Sequence, residues 1–224
     1  MQYLHSEQLY QYYLENLTVG ETFFSDFQKL IELQQLYNAA IKEMQTKLEI
    51  LNDEFKVKFA RNPIHHVESR LKSSHSIIKK LMKKNVEVSV ESARANLNDI
   101  AGIRVVCCYI DDVYSVADML LAQSDIELVK RQDYIKEPNF NGYRSLHLDL
   151  RLPIFLSDHT EYVTIEVQLR TVAMDFWASL EHDLRYKTDK EIPPSLGEDM
   201  LRCAGEIAEI DAKMQAIYRE IQKL

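Results

Sequence analysis

Two stretches of strict alternation constrain the fold of this 224-residue chain more than any other feature. Leu146, Leu148, Leu150 and Leu152 alternate with His147, Asp149 and Arg151. Val163, Ile165, Val167 and Leu169 alternate with Glu166, Gln168 and Arg170. A period of two describes strands with one buried face and one polar face. If the two strands pair, His147 and Glu166 look onto the same sheet surface. The apolar run Ile103 to Ile110 reads as a buried strand, and Ile126 to Lys130 as a short one.

Helical spacing dominates the two ends. Phe23, Phe27, Leu30, Tyr37, Ala40, Ile41, Met44, Leu48, Leu51, Phe55 and Phe59 recur at three- and four-residue steps. This predicts a long amphipathic helix from near Thr22 to just before Pro63. Asn62-Pro63 reads as a cap and a first-turn proline, opening a second helix to about Lys84. Its apolar side is Val67, Leu71, Ile77, Ile78, Leu81 and Met82, and its basic side Arg70, Lys72, Lys79, Lys80, Lys83 and Lys84. A short helix is expected near Glu91 to Leu97, and one capped by Asp111-Asp112 through about Gln123. Two more follow at about Ala173 to Tyr186 and Gly197 to Lys223, separated by Ile192-Pro193-Pro194. The expectation is an α/β (α+β) fold: a mixed sheet flanked by helices, with long helices at both ends. Residues 1–62 form an N-terminal helical extension, 63–190 the core, and 191–224 a C-terminal helix. Met200, Ala204, Ile207, Met214, Ile217 and Ile221 give that last helix an apolar stripe suited to self-association.

Composition removes several classes of function. No apolar run is long enough to cross a bilayer, and the first residues lack the pattern of a secretory signal, so an intracellular protein is expected. Cys107, Cys108 and Cys203 do not pair into a disulfide scaffold and have no zinc spacing. A net charge of −8 argues against general attraction to nucleic acid, so any polyanion site needs a local reversal of sign. Arg70 to Lys84 is such a reversal, though alone it is equally a solvated helix face. The five glycines form neither a phosphate-binding loop nor a dinucleotide fingerprint. If phosphates are bound, side chains and metal must hold them.

Asn141-Gly142-Tyr143-Arg144-Ser145-Leu146-His147 places a ring, a guanidinium, a hydroxyl and an imidazole in one turn. Rings stack on bases and arginine grips phosphate. Asp99, just before the Ile103 strand, and Glu166 are candidates to converge on one magnesium ion, though two carboxylates among 35 acidic residues are weak evidence taken alone. That ion takes one or two carboxylates and completes its shell with phosphates and water.

These segments carry a resemblance. Asn98-Asp99-Ile100-Ala101-Gly102-Ile103-Arg104, Asp133-Tyr134-Ile135, Asn141 to His147, and Glu166-Val167-Gln168-Leu169-Arg170-Thr171 resemble, in order, the synthetase domain of the RelA/SpoT family. Glu68-Ser69-Arg70-Leu71-Lys72 upstream and Ala173 to His182 downstream extend the match over most of the chain after Pro63. In length the chain is similar to the small single-domain alarmone synthetases. The resemblance implies a nucleotidyltransferase-like sheet and transfer of the β,γ-pyrophosphate of ATP to the 3′-hydroxyl of GDP or GTP in the cytoplasm. By position, Asp99 binds Mg²⁺, and Glu166 either binds it or takes the hydroxyl proton. Arg70 and Arg104 sandwich adenine, while Lys72, Ser76, Lys80 and Lys83 contact the ATP phosphates. On the acceptor side Tyr143 stacks on guanine and His147 orients the acceptor, with Arg144, Ser145 and Asp175 nearby. A homotetramer is implied as well.

Three positions depart from the family pattern. Glu137-Pro138-Asn139-Phe140 stands where a lysine is frequent, Asp175 where one branch has asparagine, and His66 where that branch has an aromatic residue tied to alarmone activation. His182-Asp183 mimics the metal pair of alarmone hydrolases without the rest of their ligand set. The other class of reading is a catalytically silent regulator that binds guanine nucleotides or single-stranded RNA. Intact Asp99, Glu166 and Tyr143 weigh against silence, and the acidic balance weighs against RNA as the main ligand.

Overall fold

The alternating segments form the middle of a five-stranded sheet. The computed structural model describes residues 21–186 and 193–224, with 21–27, 185, 186 and 194 as backbone only. In chain order the elements are α1 (Glu21–Phe59), β1 (Ile64–Leu71), α2 (Ser74–Lys83), α3 (Val90–Asn96), β2 (Ala101–Cys107), α4 (Ile110–Leu121), β3 (Glu127–Asp133), β4 (Leu146–Phe155), β5 (Thr160–Thr171), α5 (Val172–Tyr186) and α6 (Pro194–Ile221). The strands lie in the order β1-β2-β5-β4-β3. β5 runs parallel to β2 and antiparallel to β4, and the β1–β2 and β3–β4 pairs are antiparallel. The fold is the expected mixed sheet flanked by helices.

Register decides what meets on each face. Gly102 lies opposite Glu166 and Arg104 opposite Gln168 across β2–β5. Asp149 lies opposite Glu166 and His147 opposite Gln168 across β4–β5. Glu68 and Arg70 lie opposite Arg104 and Gly102. Directly opposed residues share a face, so all these polar groups crowd one side. The other side is apolar: Ile103, Val105, Leu146, Leu148, Leu150, Ile165, Val167 and Leu169 are essentially inaccessible. α1 crosses β1, β2, β5 and β4 on that side. It fills the core with Leu33, Tyr37, Ala40, Met44 and Leu48, so this part of the expected extension belongs to the main core. Phe23 and Phe27 of the predicted stripe lie outside the described side chains, as does Ile192 of the predicted linker outside the described residues.

Two expectations need correction. The helix predicted from Pro63 to Lys84 is instead strand β1 followed by helix α2. Ile64, Val67 and Leu71 step by three and four, which mimics a helix. A bulge between Ile64 and His66 inserts one residue and turns Ile64 onto the same face as Val67 and Leu71. The true helix start is Ser73, whose Oγ accepts from the Ser76 amide at 3.3 Å. Nor does Asp111-Asp112 cap α4, whose N-cap is Tyr109 without a side-chain bond. The two carboxylates sit in the first turn, where the helix dipole favours them. Buried Asp112 takes a bidentate pair from Arg61, and Asp111 binds Gln215 and Arg219 of α6. The C-terminal helix is thereby tied to α4.

Candidate active site

The open face of the sheet holds a cleft of about 310 Å³. Glu68, Arg70, Lys72, Asp99, Arg104 and Glu166 are among its walls, and Gly102 lies among them where a side chain would fill the floor. Asp99 stands where α3 gives way to β2. Its Oδ2 accepts from Lys72 Nζ and Lys80 Nζ, both at 2.6 Å. Burial pushes its pKa up, but the bonds and charges of the two lysines outweigh burial and hold it below the usual carboxylate range. Its Oδ1 is buried and has no hydrogen-bond partner. A buried carboxylate oxygen left unpaired is costly unless something binds it. No group of three His, Cys, Asp or Glu among the described residues is arranged to hold a metal. Glu68, Asp99 and Glu166 are the acidic side chains that line the cleft, and Asp99 with Glu166 is the candidate pair. Such a set suits a hard cation that draws its other ligands from phosphate and water.

Glu166 belongs to a closed ring of hydrogen bonds. Its Oε1 meets His147 Nδ1 at 3.2 Å, and its Oε2 accepts from Gln168 Nε2 at 2.7 Å. His147 Nε2 meets the Tyr143 hydroxyl at 2.8 Å. Arg170 closes the ring, donating from Nη2 to the Tyr143 hydroxyl at 2.5 Å and to Gln168 Oε1 at 2.9 Å. One assignment of protons satisfies every atom. An ionised Glu166 only accepts, so His147 carries its proton on Nδ1, and the Tyr143 proton points to Nε2. Two arms thus run from a buried guanidinium to a carboxylate. Burial pushes the Glu166 pKa up, and the nearby Asp99 charge adds to that. The His147 and Gln168 bonds prevail and leave it below the usual range.

Asp175 on α5 accepts from Arg170 Nη1 at 3.1 Å and lies 3.4 Å from Arg104, whose Nη1 also donates to Glu68 at 2.9 Å. Arg104 Nε is buried without a partner. The Tyr143 ring meets Tyr134 and His147 edge-on, at centroid separations of 5.9 and 5.8 Å.

Of the residues singled out in the sequence, Asp99, Glu166, Arg70, Lys72 and Arg104 meet around the cleft, Lys80 joins it through its bond to Asp99, and Tyr143, His147 and Asp175 adjoin it through the ring. Others do not. Ser145 is fully buried and donates to the Leu169 carbonyl at 3.2 Å, so it braces β4 against β5 and cannot reach an acceptor. Arg144 turns the opposite way from Tyr143, toward Asp211 of α6, because successive residues entering a strand alternate. Ser76 shares a hydrogen bond with Ser73 at the start of α2, and Lys83 is exposed in its last turn, outside the cleft lining. His182 and Asp183 lie on the exposed side of α5. Sequence reasoning placed Gln168 and Arg170 on the Glu166 face but gave them no task. Their signal was the shared parity of positions 166, 168 and 170.

Comparison with known proteins finds one family. Residues 69–191, more than half of the chain, match the family described as "Region found in RelA / SpoT proteins". GTP pyrophosphokinase YwaC of Bacillus subtilis is 43% identical over 187 residues, covering 83% of this chain and 89% of that protein. The crystal structure of small alarmone synthetase 2 from Bacillus subtilis superposes with a TM-score of 0.76 at 41% identity, over 84% of this chain and 97% of that one. Small alarmone synthetase 1 of the same organism, solved with its product pppGpp, gives 0.76 at 33% identity over 83% of this chain and 94% of that one. With a matching profile, relatives aligned along nearly their whole length and a shared fold, the chain belongs to the RelA/SpoT family.

Proposed function

We propose that this protein transfers the β,γ-pyrophosphate of ATP to the 3′-hydroxyl of GDP or GTP, giving ppGpp or pppGpp and AMP. The observation that carries the reading is the arrangement of Glu166. It shares a cleft with Asp99 on one side and is joined through His147 to Tyr143 on the other. Donor and acceptor sites therefore meet at one carboxylate.

ATP occupies the cleft. Arg70 and Arg104 flank adenine, while Lys72 and Lys80, now held by Asp99, turn to the phosphates. The guanine of the acceptor stacks on Tyr143, and His147 orients its ribose. The 3′-oxygen attacks the β-phosphorus as its proton passes to Glu166, and the bond from that phosphorus to the bridging oxygen of AMP breaks. Such transfer depends on in-line positioning and charge neutralisation more than on covalent help. Asp99 would hold Mg²⁺, which when bound neutralises charge building on the phosphates, and Glu166 would be its second ligand only in place of acting as the base. The unpaired Oδ1 of Asp99 supports that placement.

We place self-association, as a homotetramer, on the outward side of α6, where Met214, Ile217 and Ile221 of the predicted stripe are exposed beside Ile210, whereas Ala204 of that stripe is buried within the chain. No helix among the described residues is long and apolar enough to cross a membrane, and we place the protein in the cytoplasm. The test is direct: purified protein with ATP, GDP and magnesium should yield AMP and a guanosine tetraphosphate, and a chelator should stop it. Nucleotide binding without AMP release would favour a silent regulator instead.

A further inference from the structure

The turn that carries Tyr143 is held from behind by the C-terminal helix. Gly142 sits at φ +86°, in the left-handed region that favours glycine. A Cβ placed there would lie 2.5 Å from Ala204 Cβ and 3.2 Å from Leu201 Cδ1. The Gly142 backbone thus rests on α6 with no side chain of its own between them. One residue on, Tyr143 packs against a small cluster of Trp177, Ala178 and Ala204. Trp177 is fixed in turn by donating Nε1–H to the Met200 carbonyl at 3.3 Å. The space left in this seam is about 10 Å³, no more than a single water needs.

We propose that Ala204 is a positioning residue for the acceptor site: its methyl group sets where the Gly142 backbone lies, and so where the Tyr143 ring stands, without touching substrate. The inference rests on the synthetase reading above. A close-packed seam passes displacement on rather than absorbing it. Bulk added at Ala204 pushes against the Gly142 backbone and the Trp177, Ala178 and Tyr143 packed with it. α6 packs chiefly on α4 and α5, whereas Asp99, Lys72 and Arg104 are carried by β1, β2 and their connections. A change at Ala204 should therefore reach the acceptor half and spare the donor half.

The experiment compares Ala204→Val, Ala204→Gly and Ala204→Ser with wild type. It measures kcat, KM for GDP and for ATP, calorimetric GDP binding and Tm. Val should raise the KM and Kd for GDP about tenfold, equivalent to about 1.4 kcal/mol, with the ATP KM nearly unchanged. Gly, which removes the support and cannot crowd, should raise the GDP KM as well. Ser, close to alanine in size, should restore wild-type values. Glu209→Gln, at an exposed position on the same helix outside the apolar face, should leave both KM values alone. An unchanged GDP KM in both Val and Gly overturns the proposal, as does a parallel rise in the ATP KM, which marks general loosening. If Val does not fold, Gly alone decides. Wild type that neither turns over nor binds GDP removes the synthetase reading and this inference together. Active wild type with indifferent variants removes only the inference.

Discussion

Asp99→Asn takes one negative charge from between Lys72 and Lys80 while hardly altering shape. An asparagine carbonyl can still accept the two bonds now made at 2.6 Å by Lys72 and Lys80, but its amide offers nothing to a cation where Oδ1 now stands unpaired. If Asp99 anchors Mg²⁺, the change forfeits about 4 kcal/mol of transition-state stabilisation, or about a thousandfold in kcat. The structural cost is smaller. Bonds to an ionised acceptor contribute roughly 1 kcal/mol more than bonds to a neutral one. That of Lys80, whose side chain is 39% exposed, counts least. Relief of a partly buried charge offsets part of the rest. A net loss of about 1 kcal/mol lowers Tm by about 2–4 °C for a chain of this size. The sign with pH follows from the depressed carboxyl: its contribution is present above the ordinary value of 3.8 and is lost as pH falls through the lower folded value. The Tm gap between wild type and variant should therefore close at acid pH. The assay is AMP and tetraphosphate release by chromatography, with calorimetric melting from neutral to acid pH. Turnover above a tenth of wild type would remove Asp99 from the site. Lost turnover with a fall in Tm of 15 °C or so would make it a structural residue instead.

Two further outcomes are expected. Tyr143→Ala should raise the GDP KM by about 5-fold to about 150-fold, since base stacking contributes about 1–3 kcal/mol, while Tyr143→Phe should lose far less; equal KM values in wild type and Ala would end the stacking assignment. Asp211 is buried, which pushes its pKa up, and it accepts from Thr171 Oγ1 at 2.7 Å. A raised folded value means the charged form is the costly one, so stability falls as pH rises through it. Asp211→Asn should then melt about 2–4 °C higher at pH 8, with the gain vanishing toward pH 4. A lower Tm at pH 8 would show instead that Arg144 needs the charge.

Much of the site was legible because a strand's period is two. Once Leu146 and Ile165 face the core, His147 and Glu166 must face away from it, and no tertiary detail can reverse that. Gln168 and Arg170 shared the same parity yet gained no role, because a hydrogen-bond ring among five side chains is invisible until rotamers are set. The β1 segment misled for a related reason. The bulge makes Ile64 and Val67 step by three, and Val67 and Leu71 step by four in strand and helix alike, so a linear pattern cannot separate this strand from a helix. Arg144 and Ser145 failed differently: adjacency to Tyr143 suggested a shared task, while alternation sent Arg144 toward α6 and the interior took Ser145.

Local order alone settled which segments are strands in the centre and which polar residues of β4 and β5 face the open side. Those properties come from the spacing of near neighbours, and burial of apolar side chains enforces them wherever the segment ends up. Only the folded chain decided that β5 slots between β2 and β4, setting Gly102 beside Glu166 across a long loop of sequence. Likewise only the fold brought Ala204 against Gly142. Long-range pairing depends on how the whole core closes, a sum over distant contacts that no short window of residues contains.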